Sequence, residues 1–363
     1  MALQLVSCVR EFLPEIDEYR NLMVVEGLIT DELKQHYVTL SRSAAVGQIG
    51  EGAPVSAATV IVTDNMQNQY FFNEQEPGYY TTDSMRFQPG RIYSLRVITG
   101  DDSYVSTPME LRATHPIDTV FSELQSLPVQ GSNLMKLGYQ VYFNSYDPTN
   151  STKFYRWEYF ETWETKYPRN FLLPWVVNNN CWVEDRSYRI YLENTTPKQE
   201  AIFENYPLVF IGTETPRLDV RYSLLLKQYA ISEEEYWYWE NLRDLNQEVG
   251  GLYDPIPSAL PGNMKSENHP EMDVLGFFSV SGASSKRVFI QNDTIPKPNY
   301  YYYCLTDTVP NLNGIIGIGT DIFIVERTDP PTVVYLISPY RACVDCTVFG
   351  TNIKPSYWED EAK

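Results

Sequence analysis

Arg91-Ile92-Tyr93-Ser94-Leu95-Arg96-Val97-Ile98 is the stretch that decides the fold class. In an extended chain Tyr93, Leu95 and Val97 share one face and Ser94 and Arg96 the other, the period-two signature of a half-buried strand. Comparable runs precede it at Leu22–Ile29, Tyr37–Leu40, Ala58–Thr63 and Tyr70–Phe72, with turn signals at Asp64-Asn65 and Pro77-Gly78. Short strands spaced about 8–15 residues apart predict a β-sandwich over residues 21–114.

Beyond it, His115-Pro116-Ile117-Asp118 reads as a linker, since proline fixes an extended entry into the next unit. Strands are predicted at Tyr139–Phe143, Phe154–Trp163, Tyr188–Leu192, Leu208–Ile211 and Tyr222–Tyr229. In the second of these Phe154, Arg156, Glu158 and Phe160 alternate with Tyr155, Trp157, Tyr159 and Glu161. One helix is expected over about 232–249. Ser232-Glu233-Glu234-Glu235 forms a capping box, three acids suit the positive helix end, and Gly250-Gly251 is a fitting stop. Trp239, Leu242, Leu245 and Val249 recur at helical spacing, a face expected to lie on a sheet. A proline-rich loop from Tyr253 to Asn263 follows, and strands resume at Val274–Val280, Arg287–Ile290, Phe323–Val325 and Val333–Ile337. Ile315–Gly319 reads as strand or loop. The chain therefore divides into an N-terminal tether (1–20), a first β-sandwich (21–114) and a larger β-rich domain with an inserted helix and cysteine-bearing loops (115–363).

Composition agrees with an all-β chain. Among 363 residues stand 28 Tyr, 16 Phe and 7 Trp, which suit pleated half-buried surfaces, while 24 Pro and 19 Gly supply turns. A net charge of −19, from 28 basic and 47 acidic residues, leaves no cationic surplus for nucleic acid. No run approaches the roughly 18 apolar residues of a membrane-spanning helix.

Leu5-Val6-Ser7-Cys8 resembles a bacterial lipobox, in which Cys8 becomes the lipidated N-terminus. The apolar segment before it, Ala2–Val6, is shorter than the roughly 7–15 residues of a usual signal core, and no Lys or Arg precedes it; an ordinary disulfide or free cysteine is the alternative. Cys181, Cys304, Cys343 and Cys346 remain, an even number that allows two disulfides in three possible pairings. Cys343-Val-Asp-Cys346 would also suit half a zinc site or a redox pair. Zinc needs a second close ligand pair and redox chemistry a helix N-terminus, so disulfides fit better.

The order Ala58-Thr59-Val60-Ile61-Val62-Thr63-Asp64, turn, Tyr70-Phe71-Phe72, Pro77-Gly78-Tyr79-Tyr80 is similar to the transthyretin-like accessory sandwich of carboxypeptidases, a non-catalytic module of immunoglobulin-like type. Blocks along the chain carry a wider resemblance. They are Leu22–Glu32, Val38–Ser43, Tyr155–Tyr159, Tyr222–Leu225 with Lys227-Gln228-Tyr229, and Pro261-Gly262-Asn263. Val274–Ser279, Lys286–Ile290, Cys343–Cys346 and Gly350-Thr351-Asn352 with Lys354-Pro355 complete the series. Together they resemble the domain-of-unknown-function family 4249, outer-membrane lipoproteins of the Bacteroidota, from about Cys8 to Trp358. The resemblance implies lipidation at Cys8, followed by the acidic segment Glu11–Glu18. It also implies association with TonB-dependent outer-membrane barrels. The larger second domain is expected to be fibronectin-III-like. Relatives often carry a cysteine just after the Pro-Gly-Asn turn, whereas this chain has Ser266 nearby.

Three function classes follow. The first is a lipid-anchored surface lipoprotein acting as a non-catalytic subunit of an outer-membrane barrel complex. Its partner would be a TonB-dependent transporter or a protein assembly or export barrel, with other lipoproteins alongside. Residues 254–270 and the strand Phe154–Trp163 are its expected contact surfaces. The second is a glycan- or ligand-capturing module, in which Trp157, Trp163, Trp175 and Trp182 with Tyr300-Tyr301-Tyr302-Tyr303 would stack on sugar faces. The third, an enzyme, is not expected. His36, His115 and His269 lie in no catalytic motif, no carboxylate pair stands out, and no metal or cofactor is implied.

Overall fold

The computed structural model describes residues 21–43, 52–129, 131, 133–166, 180–248, 260–291, 307–309, 323–327, 335–338 and 345–358. Along the chain run β1 (Met23–Thr30), β2 (Tyr37–Arg42), β3 (Thr59–Asp64), β4 (Gln69–Glu76), β5 (Tyr79–Thr81), β6 (Ile92–Thr99), β7 (Asp102–Ser106) and β8 (Met109–Glu110). Then come β9 (Ile117–Pro128), β10 (Met135–Asp147), β11 (Phe154–Lys166), β12 (Asn180–Arg186), β13 (Tyr191–Asn194), β14 (Ala201–Gly212) and β15 (Arg221–Ile231). The helix α1 (Glu233–Glu248) precedes β16 (Met264–Ser266), β17 (Phe278–Gln291), β18 (Asp307–Val309), β19 (Phe323–Arg327) and β20 (Tyr335–Ser338). The described residues are all-β in class, with one α-helix among them. The N-terminus of α1 is capped as expected, the Ser232 hydroxyl accepting from the Glu235 amide at 3.1 Å.

The chain forms two compact units, Met1–Leu111 with Asp244–Ser281, and Arg112–Arg243 with Gly282–Lys363. This differs from the sequential division at 114/115, because the chain returns to the first unit after α1. The return is held by backbone geometry. Phe278–Ser281 pairs in parallel with Gly27–Thr30. The Asn263 side chain, 2% exposed, donates to the Phe278 carbonyl and accepts from its amide, both at 2.9 Å, standing in for a strand neighbour. A Cβ on Gly262 would fall 1.4 Å from the Gly276 carbonyl oxygen, and Gly276 itself adopts φ +81° against the Val25 backbone. Only glycine permits both.

In the first unit the strand order is β17-β1-β2-β5-β4-β3-β6-β7-β16, with β8 also on β6. β4 changes partner midway: Gln69–Phe72 pairs with β3, and Asn73–Glu76 with β5. The predicted face of β6 is buried, Tyr93, Leu95 and Val97 all being 0% exposed. In the second unit β12-β11-β15-β17 form one sheet, with β13 beside part of β11, and β14-β10-β9 another. Val141, Phe143, Phe203 and Ile211 from the second sheet share one core with Tyr155, Trp157, Tyr222, Leu224 and Leu226 from the first, a sandwich arrangement. β18, β20 and β19 form a third, small sheet.

Two readings are corrected. His115–Asp118 is not simply a linker, since Ile117 already begins β9. The separate strands at Val274–Val280 and Arg287–Ile290 are largely one: β17 runs unbroken from Phe278 to Gln291 because Gly282–Gln291 pairs with β15 along its length.

Candidate functional site

The second unit has a sheet with two unequal edges. β14 is blunted: Pro207 lacks an amide proton, Asn205 turns to φ +47°, and the pairing with β10 shifts register twice between Val141 and Ser145. These devices discourage further strand pairing. β9 is different. From Thr119 to Pro128 it runs in unbroken register against β10, with no internal proline or bulge, and among the described residues no strand covers its outer side.

The hairpin also outruns its core. On one face of β10, Val141 and Phe143 are fully buried, whereas Leu137 is 38% and Met135 59% exposed, and Leu134 beyond them reaches 70%. Leu124 and Val129 on the β9 side are exposed as well. The period-two pattern that buries the strand root continues past the opposing sheet, so its apolar face emerges into solvent. An open edge bordered by exposed aliphatics is the physical signature of a strand-pairing or docking surface.

The polar clusters of the same unit are built from pairs within the fold. Asp147, 2% exposed, accepts from the Thr149 hydroxyl (2.7 Å), the Thr149 and Asn150 amides (2.9 Å each) and the Tyr155 hydroxyl (3.3 Å). Burial alone would raise its pKa, but the Thr149 and Thr152 hydrogen bonds and the nearby His115 hold it below the usual carboxylate value. His115 Nε2 lies 2.6 Å from Asp147 Oδ1 and 3.2 Å from the Thr149 hydroxyl. One nitrogen faces both groups, whereas activating a hydroxyl needs acid and nucleophile on opposite ring nitrogens. The cluster orders the β10–β11 turn instead. Glu161 is buried against Arg217 (2.9 Å) and accepts from the Tyr222 hydroxyl at 2.6 Å. Burial and the Glu161 charge push the Tyr222 phenol far up. The Arg156 guanidinium lies between the rings of Tyr229 and Trp239, 4.7 and 4.8 Å from their centroids.

The predicted sites fare unequally. Cys181 and Cys346 are joined, with Cα atoms 5.8 Å apart across 165 residues of chain. This removes Cys346 from any zinc or redox pair with Cys343; Cys8, Cys304 and Cys343 lie outside the described residues. The disulfide fastens a C-terminal strap, residues 345–358. Trp182 and Thr351 exchange backbone hydrogen bonds of 2.8 and 2.9 Å. Tyr357 donates to Glu184 and accepts from Thr162, with the Arg287 guanidinium 3.7 Å from its ring centroid. Trp157 is corrected from a ligand contact to a core residue. It is 1% exposed and its indole donates to Gln228 at 2.9 Å, because it sits on the inward face of a strand with neighbours on both sides. Trp163 packs against the same core, and Trp182 is 8% exposed with its ring against Trp358. Trp175 and Tyr300–Tyr303 lie outside the described residues. The expected contact strand Phe154–Trp163 is enclosed by β12, β13 and β15. The open β9 edge was missed because its first residues read as linker, although Val120, Ser122 and Leu124 carry a weak alternation.

The family described as Domain of unknown function (DUF4249) matches residues 9–287, which includes the whole β9–β10 hairpin. The chain belongs to this family. Within it, the matched DUF4249 region takes in both segments of the first unit and ends inside β17, ahead of the strap. No curated protein matches the chain.

Proposed function

We propose that the protein is a non-catalytic docking subunit of an outer-membrane complex. It is tethered by lipid on Cys8 and engages a β-barrel partner, transporter or assembly barrel, through the β9–β10 hairpin. The observation that carries this reading is the open edge of β9 beside the exposed apolar run Leu134, Met135 and Leu137. An edge strand supplies main-chain hydrogen bonds to a partner, and the aliphatics supply the desolvation that makes them count. Family membership and the sequence resemblance to lipidated barrel-associated proteins support the same assignment.

The test is extraction in mild detergent through a C-terminal tag, followed by mass spectrometry, on the native chain, Cys8→Ala and the pair Leu134→Glu/Met135→Glu. Stoichiometric recovery of a barrel, reduced in both variants, is expected. A chain recovered alone, or a barrel held equally by the hairpin variant, overturns the proposal.

A further inference from the structure

Three features outside the docking hairpin carry unexplained chemistry: the Arg156 aromatic sandwich, the strap, and a cleft in the first unit. The first is covered by the Tyr229 and Trp239 rings and the second is bonded to β12. The cleft is lined by the exposed Glu26 and Tyr79.

It encloses about 510 Å³ on the outward face of β1, β2 and β5, within the range of small-molecule sites. Its floor is a cross-strand row in register, Glu26 opposite Thr39 and Thr39 opposite Tyr79. Val24 and Ser41 extend the floor, and Pro54 and Pro77 form stiff walls. Gly78 fixes the rim. Its φ is +75°, and a Cβ there would meet the Leu40 carbonyl oxygen at 2.6 Å and Pro54 at 2.9 Å, so no other residue lets the turn close so tightly. The site is thus preformed, which spares a ligand the entropy of ordering it.

Tyr79 and Tyr37 stack with ring centroids 6.1 Å apart and planes inclined by 26°. Both are more than a third exposed, unusual for aromatics that could have been turned inward. Beside this plate stand the exposed Glu26 carboxylate, the Ser41 hydroxyl and the Thr39 hydroxyl, the last donating to the Glu26 carbonyl at 3.3 Å. Among the described lining residues there is no Lys or Arg, and the chain carries −19 overall, so an anionic ligand is disfavoured. A cation is held best by several ring faces around it, whereas Tyr79 is the one aromatic among the described lining residues and Tyr37 stacks against it outside that lining. A flat apolar face edged by an acceptor-rich rim of carboxylate and hydroxyls matches a molecule with an apolar ring face and equatorial hydroxyl donors. We infer that this cleft binds a neutral saccharide, one pyranose ring resting on the Tyr79 face, which Tyr37 buttresses, with its hydroxyls donating to Glu26.

Isothermal titration of the full chain with maltohexaose, cellohexaose, xylohexaose, mannohexaose and chitohexaose tests it, with choline chloride as the cationic competitor. At least one hexasaccharide is expected to bind. Tyr79→Ala, which removes the ring platform, and Glu26→Gln, which removes the charged acceptor, should each weaken that binding by about tenfold. Tyr79→Phe keeps the ring and should retain binding. Tyr188→Ala, at an 81% exposed tyrosine of the other unit, should change nothing. No binding to any of the five, binding unaltered in Tyr79→Ala and Glu26→Gln, or displacement by choline overturns the inference. Barrel recovery with the Tyr79→Ala chain separates this result from docking, which the substitution should leave intact.

Discussion

His36 makes the first unit sensitive to mild acid. It is 0% exposed. Its Nδ1 faces the Thr30 amide at 3.3 Å, so it accepts, and Nε2 therefore carries the proton and donates to the Met85 carbonyl at 3.1 Å. The Phe87 ring meets the imidazole edge-on with centroids 4.9 Å apart. The Met85 and Leu28 backbone and the Glu32 carboxylate favour a positive ring, but burial outweighs them. Burial, with a smaller contribution from Lys34, lowers the pKa from 6.5 to about 4. A group whose folded pKa lies below its unfolded value stabilises fully above the unfolded pKa. That stabilisation fades as pH falls toward the folded pKa. At about 1.4 kcal/mol for each tenfold in proton affinity, the whole effect is about 3 kcal/mol, of which about 2 is lost by pH 5. The assay is urea unfolding at pH 7.5 and pH 5.0, comparing the native chain with His36→Gln, whose amide can make both hydrogen bonds without titrating. The native chain should lose about 2 kcal/mol more than the variant over that interval. Equal losses would show that His36 is not the sensor, and a variant that loses more would refute the sign.

Other outcomes follow from the second unit. Cys181→Ser/Cys346→Ser removes a bond closing 165 residues and should cost about 2–5 kcal/mol, read as a lower thermal midpoint that reductant no longer shifts. Arg217→Ala leaves Glu161 buried without its cation and should destabilise by about 3 kcal/mol; Glu161→Gln in that background should recover part of it in a double-mutant cycle. Trp157→Phe keeps most of the core volume but strips Gln228 of the indole donor, for a loss of about 1–3 kcal/mol by denaturant titration. Gly78→Ala should destabilise the first unit and also abolish saccharide binding by opening the Pro77–Gly78 rim, both measurable on one preparation.

Local pattern decided a good deal by itself. Period-two alternation marked β6 and β11, and the Ser232 capping signal placed the start of α1, because these signals depend on neighbours a few residues apart. Two cysteines of an even set were bonded, but which two depended on where the strap lies. The inward face of β11 was visible as a stripe, yet not that it was inward; Trp157 exposed and Trp157 buried have the same alternation. What only tertiary structure decided was which strand ends find partners. β17 continues to Gln291 because β15 pairs with it, the segment after α1 returns to β1 because Asn263 and two glycines allow close approach, and among the described residues β9 keeps one side open. Pairing across hundreds of residues is set by packing and backbone hydrogen bonding between distant segments. A window of ten residues contains no record of them, so both surfaces proposed here emerge only after the chain is folded.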